Sequence, residues 1–447
     1  MQGPPREPLV ETAFDGLVGP THHYAGLSAG NLASTRHAGE VGNPKAAALQ
    51  GLGKVRLVHQ LGGKRAILPP HERPYLPLLR QLGFHGNDAA VLDAVHREAP
   101  WLLSAASSAS AMWAANMATT TPSQDAADER SHFTPANLSS MLHRSLEAPT
   151  ATRLLRRLFS DEALFSVHEP LPAHASYSDE GAANHTRLAT SQGALHLFGW
   201  GRSPDAKDLP TRFPARQTRA ASEAVIRAHR LSPENALLWQ QSATGIDAGA
   251  FHSDVLAVGS GSVWLLHELA FVETERLLET LRGRLGAELQ VVLAGEAELP
   301  VTDAVAAYPF NSELVPLPNG KLALVAPRES EQNPRARAFF ARVLAEAPRV
   351  EQVVYVDVND SMRNGGGPAC LRFRVQLTDV ERAAVLPRVF FDDALDRALS
   401  AWIEKHYRDR LTVDDLRDPA LLDETRRALD ELTGLLELGS IYDFQLG

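Results

Sequence analysis

A single cysteine, Cys370, ends a glycine-rich run, residues 364–370, which reads Asn-Gly-Gly-Gly-Pro-Ala-Cys. Because it is the only cysteine in 447 residues, it can form neither an intramolecular disulfide nor a cysteine-rich zinc site. It is therefore either an inert buried thiol or a nucleophile. The glycines and the proline predict a turn in which the backbone can approach a ligand closely. The alternating residues 371–377 predict a strand, so we expect a thiol that is held rigidly and reached from solvent.

A cysteine nucleophile needs a base nearby, since a free thiol has a pKa of about 8.5 and is mostly protonated at neutral pH. The chain has 17 histidines, and His252 stands out because Asp254 follows two residues later, at the start of the apolar run 255–258. In an extended chain the two side chains would lie on the same side, as a base and a cation-binding carboxylate. The alternative is a turn in which Asp254 caps the backbone and His252 lies on the surface.

A second candidate segment, residues 178–185, places the adjacent carboxylates Asp179 and Glu180 before small residues and His185. The small residues allow close backbone packing, and the carboxylates would line whatever approaches. The alternative is a helix N-terminus in which Ser178 is the cap and the two acids interact favourably with the helix dipole. The local sequence favours this second interpretation.

Further polar groups could hold a small ligand. The loop 22–34 carries glycines and serines, and it begins with His22 and His23, for which no further ligand pattern supports a metal site. Arg144 and Arg216 are flanked by small or turn residues, and arginine is the natural bidentate partner of a carboxylate. The alternative for each arginine is an ion pair on the surface.

An α/β fold must position these groups. Amphipathic stretches predict helices over residues 273–285 and 335–345, and the region 392–438 has the pattern of leucine-rich helices. No low-complexity linker divides the chain, and neither a Walker-type phosphate loop nor a dinucleotide-binding fingerprint is present. Short apolar runs predict strands, among them residues 66–68, 255–258, 263–266, 290–293, 322–325 and 353–356.

Composition restricts the class of partner. The chain is 44% hydrophobic, ample for a large core, and its net charge of −10 argues against nucleic acid as a ligand. Residues 1–8 lack the apolar core of a signal peptide, and no stretch approaches the ~18 apolar residues of a membrane span. With the single thiol, these features predict a soluble cytoplasmic protein that does not act at a membrane.

Taken together, several segments resemble the N-succinylarginine dihydrolase family of bacterial arginine catabolism, almost from end to end. Each motif alone is modest, but their number, order and spacing make the match specific. The segments that carry the resemblance are residues 14–19, 21–28, 69–74, 143–149, 179–185, 214–219 and 364–372.

The resemblance implies the fold of the guanidine-modifying enzymes, a five-bladed α/β propeller. Five ββαβ modules would surround a central active-site channel within one domain, residues 1–447. The resemblance also implies a catalytic triad of Cys370, His252 and Glu180, a small-molecule substrate, no metal or cofactor, and a homodimer. The substrate-binding positions that it implies are the loop residues Ala25, Gly26, Leu27, Ser28, Ala29, Gly30, Asn31, Leu32, Ala33 and Ser34, together with Asn116, His143, Arg144, Arg216, Asp254 and Asn364.

The reaction implied by the resemblance is hydrolysis of N2-succinylarginine by two waters, giving N2-succinylornithine, two ammonia and carbon dioxide. Three alternatives stay open at this point. A deiminase or an amidinotransferase would share the fold and the triad but form other products. A papain-like hydrolase would place its nucleophile at a helix N-terminus, whereas a strand pattern follows Cys370. A non-catalytic binding protein would not depend on the thiol.

Overall fold

The structure, a computed structural model, describes residues 7–446. Residues 1–6, on which the expectation about a signal peptide partly rests, lie outside the described residues. The described chain contains fifteen strands, numbered β1 to β15 in the order Val10–Gly16, Lys64–Leu68, Ala118–Thr121, Ser131–Pro135, Phe165–Val167, His185–Thr190, Gly193–Trp200, Ala236–Gln240, Ala257–Ser260, Val263–His267, Gln290–Ala294, Glu313–Pro316, Leu322–Pro327, Val350–Val356 and Arg372–Leu377.

The strands form five sheets of three, and every sheet has the same topology. In β3–β4–β5, β6–β7–β8, β9–β10–β11 and β12–β13–β14, the first strand is antiparallel to the second and the second is parallel to the third. In the fifth sheet β15 is antiparallel to β1 and β1 is parallel to β2, so the two ends of the chain share one module. This fivefold repeat confirms the predicted α/β propeller.

A helix joins the two parallel strands of every sheet, as a parallel crossover requires. The five crossover helices are Pro44–Gln60, Ala148–Leu158, Arg219–Ala228, Thr274–Leu285 and Pro334–Glu346. The other α-helices of the described chain are Leu32–Arg36, Leu76–Gln81, Asp88–Glu98, Pro100–Ala106, Leu142–Ser145, Ala243–Asp247, Val301–Ala307, Arg328–Gln332, Asn359–Arg363, Asp379–Ala384, Asp393–His406, Pro419–Leu435 and Asp443–Leu446. No helix within residues 7–446 has the length and the apolar character needed to cross a membrane.

The first strand of each sheet, β3, β6, β9, β12 or β15, is an inner strand, closest to the centre of the propeller. A central cavity, called the inner cavity, is lined by residues of four of these strands and by Phe310, which precedes β12. The alternation predicted for β15 explains its two faces, since successive side chains of a strand point to opposite sides. Phe373 and Leu377 are fully buried in the hydrophobic core, whereas Arg374 and Gln376 line the inner cavity.

The structure confirms the three helical regions that were predicted from amphipathic patterns. The stretch predicted as a helix over residues 273–285 is Thr274–Leu285, in which Leu277 and Leu281 are fully buried. The second predicted helix is Pro334–Glu346, and its apolar side packs into the same core cluster. Helices Asp393–His406 and Pro419–Leu435 confirm the interpretation of the C-terminal region.

Two predictions were wrong at the start of inner strands. The strand expected over residues 255–258 begins at Ala257, because Ser253–Val255 forms a 3-10 turn that contains Asp254. Consequently His252 and Asp254 do not lie on one extended strand. The helix N-terminus expected at Ser178 is instead a single 3-10 turn without a side-chain cap, since Gly181 turns the chain with a φ of 65°.

Candidate active site

Five polar residues lie where the chain approaches the five inner strands. Asn116 precedes β3, Glu180 precedes β6, Asp254 precedes β9, Asn311 precedes β12 and Cys370 precedes β15. Because the five modules repeat around one centre, residues far apart in sequence occupy equivalent places at one end of the propeller. The sequence analysis identified four of these five residues and missed Asn311, which carries no local signal.

Hydrogen bonds join these segments to one another. The Ala115 amide donates to the carbonyl oxygen of Cys370 at 3.1 Å, and the Asn116 side chain donates to the carbonyl oxygen of Glu180 at 2.8 Å. Neighbouring residues therefore hold the backbone of both the thiol and the carboxylate. The Ser253 amide donates to the side chain of Asn184 at 2.8 Å, which ties the segment of His252 to the turn after Glu180.

The glycine-rich turn before Cys370 packs against protein side chains. Gly365 has a φ of 93°, and a Cβ atom at this position would collide with the side chain of Asn31. A Cβ atom at Gly366 would collide with the indole of Trp113. These two glycines therefore make room for Asn31 and Trp113, and the close approach of a ligand to this turn stays a prediction.

The Cys370 thiol is less accessible than the sequence suggested, since the residue is only 6% exposed. Burial and the negative charge of Asp254 raise the pKa of the thiol to about 12, against weaker lowering by Asn311 and Arg144. The thiol is therefore protonated in the free protein at neutral pH. A cation bound beside the thiol and Asp254 would favour the thiolate, because opposite charge stabilises the ionised form.

Glu180 and His252 form a buried pair, with 2.8 Å between the carboxylate Oε2 and the imidazole Nε2. Burial would raise the pKa of Glu180, but the hydrogen bond and charge of His252, with Arg216 and Arg144, lower it to about 2. Burial lowers the pKa of His252, and Glu180 partly opposes that shift. An ionised carboxylate thus orients a neutral imidazole, which can accept a proton at Nδ1.

Gln217, which the sequence analysis did not single out, holds Glu180 in place. Its Oε1 accepts a hydrogen bond from the Glu180 amide at 2.7 Å, and its Nε2 donates to Asp179 at 3.1 Å and to Ser222 at 3.2 Å. Burial raises the pKa of Asp179 to about 6. Asp179 therefore helps to hold Glu180 in place through Gln217.

Asp254 interacts electrostatically with both the Cys370 thiol and the Arg372 guanidinium. Burial raises its pKa to about 7, while the positive charge of Arg372 and the side chain of Asn311 oppose that shift. Because the pKa of this carboxyl lies near neutral pH, a cationic ligand beside it would favour the ionised form.

Arg144 and Arg216 are both buried, so neither forms the surface ion pair considered from sequence. Arg144 is paired internally: its Nε lies 2.7 Å from Oε1 of Glu147, and its Nη1 donates to Asn116 at 3.3 Å. Its charge is therefore largely compensated within the protein. The sequence analysis missed Glu147, although it lies only three residues from Arg144 on the next turn of the chain.

Arg216 differs, because no carboxylate lies within 4.0 Å of it among residues 7–446. Its Nη2 donates to the carbonyl oxygen of Ala29 at 2.7 Å, and its guanidinium lies over the ring of Phe251 at 4.6 Å. Its Nε is buried and has no hydrogen-bond partner in the same part of the chain. A buried, unpaired charge is costly, so Arg216 is the group in this site best suited to bind an anion.

The loop 25–34 folds over this end of the propeller. Its residues 25–28 and Ser34 line a small cavity together with His143 and Asn364. The Ser28 hydroxyl lies 3.4 Å from Nε2 of His143, whose pKa is lowered well below its usual value by burial. The Asn364 side chain donates to the carbonyl oxygen of His23 at 3.0 Å.

The remaining loop residues take other positions. The side chain of Asn31 donates to the carbonyl oxygen of Gly365 at 3.0 Å, which connects the loop to the turn before the thiol. Gly30 packs against Phe213. Leu32 and Ala33 begin helix Leu32–Arg36, and neither lines the small cavity.

His22 and His23 are buried, and burial lowers the pKa of both. Nδ1 of His23 lies 2.8 Å from the carbonyl oxygen of Thr21. Within residues 7–446 no group of three His, Cys, Asp or Glu side chains is arranged to hold a metal ion.

A buried ion cluster supports the turn that carries Cys370. The Lys54 ammonium lies 2.5 Å from Asp15 and 2.6 Å from Glu313, and it donates to the carbonyl oxygen of Pro368 at 3.2 Å. The sequence analysis missed this cluster, because Lys54 and Glu313 are 259 positions apart and neither stands in a recognisable motif.

The fold is a five-bladed α/β propeller, and two solved structures share it. The N-terminal domain of ArgZ bound covalently to a reaction intermediate has a TM-score of 0.53 and 14% identity, covering 82% of this chain and 99% of that chain. The product-bound form, described as an arginine dihydrolase from the ornithine-ammonia cycle in cyanobacteria, has a TM-score of 0.53 and 13% identity, covering 83% of this chain and 99% of that chain.

Sequence comparison identifies the family within this class. The sequence model of the family described as succinylarginine dihydrolase matches residues 8–445. N-succinylarginine dihydrolase of Myxococcus xanthus is 56% identical over 440 residues, 98% of this chain and 100% of that protein. The enzyme of the same name from Paraburkholderia xenovorans is 52% identical over 442 residues, 98% of this chain and 99% of that protein. The chain belongs to the succinylarginine dihydrolase family.

Proposed function

We propose that this protein hydrolyses N2-succinylarginine with two waters to N2-succinylornithine, two ammonia and carbon dioxide, as a step of arginine catabolism. The observation that carries the proposal is membership of the succinylarginine dihydrolase family over residues 8–445. The candidate site adds the groups that such a reaction needs: a thiol, a carboxylate–imidazole pair, a second carboxylate and an unpaired arginine.

In the proposed first step, the guanidinium of the substrate lies beside Cys370 with Asp254 and Glu180 as partners. Carboxylates bind a planar guanidinium through charge-assisted hydrogen bonds. The substrate's own positive charge compensates Asp254 and stabilises the thiolate, which the free protein disfavours. The sulfur then attacks the guanidinium carbon, so the substrate itself activates the nucleophile.

His252 serves as the proton shuttle in this proposal. It takes the proton that the Cys370 thiol loses on attack and gives it to the departing ammonia, and afterwards it takes a proton from the water that hydrolyses the amidino-thioether. Glu180 orients the imidazole through the 2.8 Å contact. One cycle leaves a ureido group, and a second attack by Cys370 expels the second ammonia. The remaining carbamoyl-level intermediate is hydrolysed to carbon dioxide and the ornithine amine.

Arg216 is the proposed partner of a substrate carboxylate. It is buried, lacks an acidic partner among the described residues and keeps a donor at Nε. Asn116, His143, Arg144 and Asn364 complete the proposed binding surface, with the backbone of loop 25–34 above it. Since Glu147 already compensates Arg144, we assign the larger share of carboxylate binding to Arg216.

The remaining proposals concern the state of the whole protein. We propose a single catalytic domain over residues 1–447 that works in the cytoplasm as a homodimer and needs neither metal nor cofactor. The shared module formed by β15, β1 and β2 supports the single domain, because both ends of the chain are needed to complete the propeller.

Substrate preference tests the proposed function. Ammonia release should be at least about 100-fold more efficient in kcat/KM with succinylarginine than with free arginine, because two charge-assisted contacts to the succinyl end are lost with arginine. The two compounds share the guanidinium, so free arginine is a matched control for the reacting group. Equal use of both compounds, or turnover of neither, would contradict the proposal.

A further inference from the structure

A second cavity lies next to the inner cavity and shares two lining residues with it. The second cavity, called the outer cavity, has a volume of about 460 Å³ and is lined by Lys64, Lys321 and Arg349 among others. The inner cavity has a volume of about 90 Å³. Arg187 and Gln376 line both cavities, so these two side chains lie between the two spaces.

The inner cavity reaches the candidate site at its other end. Asp254 and Ala369, the neighbour of Cys370 in sequence, form part of its wall. The inner strands begin at the site and extend away from it, and Gln376 is the fifth residue of β15. The two cavities therefore extend from Asp254 and Ala369 along the inner strands, and they share no lining residue with the small cavity under loop 25–34.

Two buried polar atoms of the inner cavity wall are available to form hydrogen bonds with small molecules. Oδ1 of Asp254 and Oε1 of Gln376 are buried and have no hydrogen-bond partner within residues 7–446. Buried polar groups in such cavities are normally satisfied by water, and 90 Å³ is enough for several water molecules. The same space is too small for a succinylarginine molecule.

Two arginines of the inner cavity wall form ion pairs with carboxylates. Arg187 is paired with Asp125 at 2.5 Å, and Arg374 is paired with Glu11 at 2.5 Å. Arg374 also donates to the carbonyl oxygen of Gly259 at 2.8 Å. Because carboxylates compensate the charges of these two arginines, this part of the wall suits neutral, polar molecules such as water and ammonia.

We propose that the inner and outer cavities form a rear passage through which hydrolytic water reaches Cys370 and neutral ammonia leaves. The passage rests on the proposed function, which consumes two waters and releases two ammonia for each succinylarginine. It lets these small molecules exchange while the substrate occupies the opposite entrance under loop 25–34. Hydrolysis of the covalent intermediate then does not depend on opening of that loop.

Substitution at the junction of the two cavities tests this passage. Gln376→Trp should fill the junction and lower kcat by about tenfold or more, because access of water and release of ammonia become limiting. Gln376→Leu removes the polar group at similar size and should keep kcat within about threefold of the parent protein. Gln352→Trp is the matched control: Gln352 is also a half-buried strand residue, but it lies on β14, a third strand outside both cavities.

The covalent intermediate gives an independent measurement. Acid quenching during turnover, followed by intact-protein mass spectrometry, should show more protein carrying the Cys370 adduct in Gln376→Trp than in the parent. Unchanged kcat in a folded Gln376→Trp protein, or a lower kcat without more adduct, would overturn the passage. If Gln376→Trp does not fold, Thr186→Phe, which fills the inner cavity from β6, takes its place. Failure of the parent protein to release ammonia from succinylarginine would instead refute the proposed function.

Discussion

Replacing Cys370 with serine should lower kcat by at least about a thousandfold, since loss of a covalent nucleophile removes most of the catalytic effect. The site raises the pKa even of the thiol to about 12, through burial and Asp254. A serine hydroxyl is a much weaker acid than a thiol, so the same surroundings leave it protonated. A bound guanidinium can favour a thiolate here but cannot produce an alkoxide at neutral pH.

Substrate binding separates this loss from a folding defect. Succinylarginine should still raise the thermal midpoint of the Cys370→Ser protein, because a ligand that binds only the native state stabilises it. Cys370→Ala provides a second variant with the same expectation. Residual turnover within about tenfold of the parent protein would remove Cys370 from the role of nucleophile.

Arg216→Lys should reduce kcat/KM for succinylarginine by roughly 10- to 100-fold, as expected when a charged hydrogen bond of about 1.5–3 kcal/mol is lost. Lysine keeps the positive charge but loses the planar arrangement of two donors that fits a carboxylate. The reduction of kcat/KM for free arginine should be smaller, so the ratio of kcat/KM for succinylarginine to that for arginine should fall. Steady-state kinetics with both compounds measures this preference directly.

Arg56→Lys is the matched control for this variant. Arg56 forms a two-point contact with Asp396 at 2.6 and 2.8 Å, and its side chain is 44% exposed. Its replacement should leave both rates unchanged, since exposed ion pairs contribute little. If Arg216→Lys lowers the thermal midpoint but keeps the parental preference, Arg216 has a structural role and does not bind the substrate carboxylate.

Local sequence patterns predicted the individual strands and helices of this fold, but they did not predict how the five modules join into a ring. Alternation identified β15, and helical periodicity identified Thr274–Leu285 within one residue. The fivefold repeat followed only from the family resemblance, because the modules share topology without sharing a visible sequence repeat. The pairing of β1 with β15 joins residues that are more than 350 positions apart, and no local pattern reports such a contact.

In the candidate site, too, residues in distinctive segments could be found from the sequence, whereas residues that act through distant contacts could not. Cys370, His252 and Glu180 each stand in a segment that could be singled out locally, but their grouping as a triad followed only from the family resemblance. The groups that support them could not be singled out: Asn311, Gln217 and Lys54 act through buried contacts with residues that are distant in sequence. The difference between Arg144 and Arg216 was also hidden, since it depends on which carboxylate lies within reach of each buried guanidinium.

The ammonia released per molecule of succinylarginine tests the central claim most directly. With the reaction followed to completion, this protein should release two ammonia for each succinylarginine consumed and leave succinylornithine as the organic product. One ammonia together with a stable ureido product would identify a deiminase on the same fold. No ammonia, with transfer of the amidine to an added amine, would identify an amidinotransferase, and either result would contradict the proposed function.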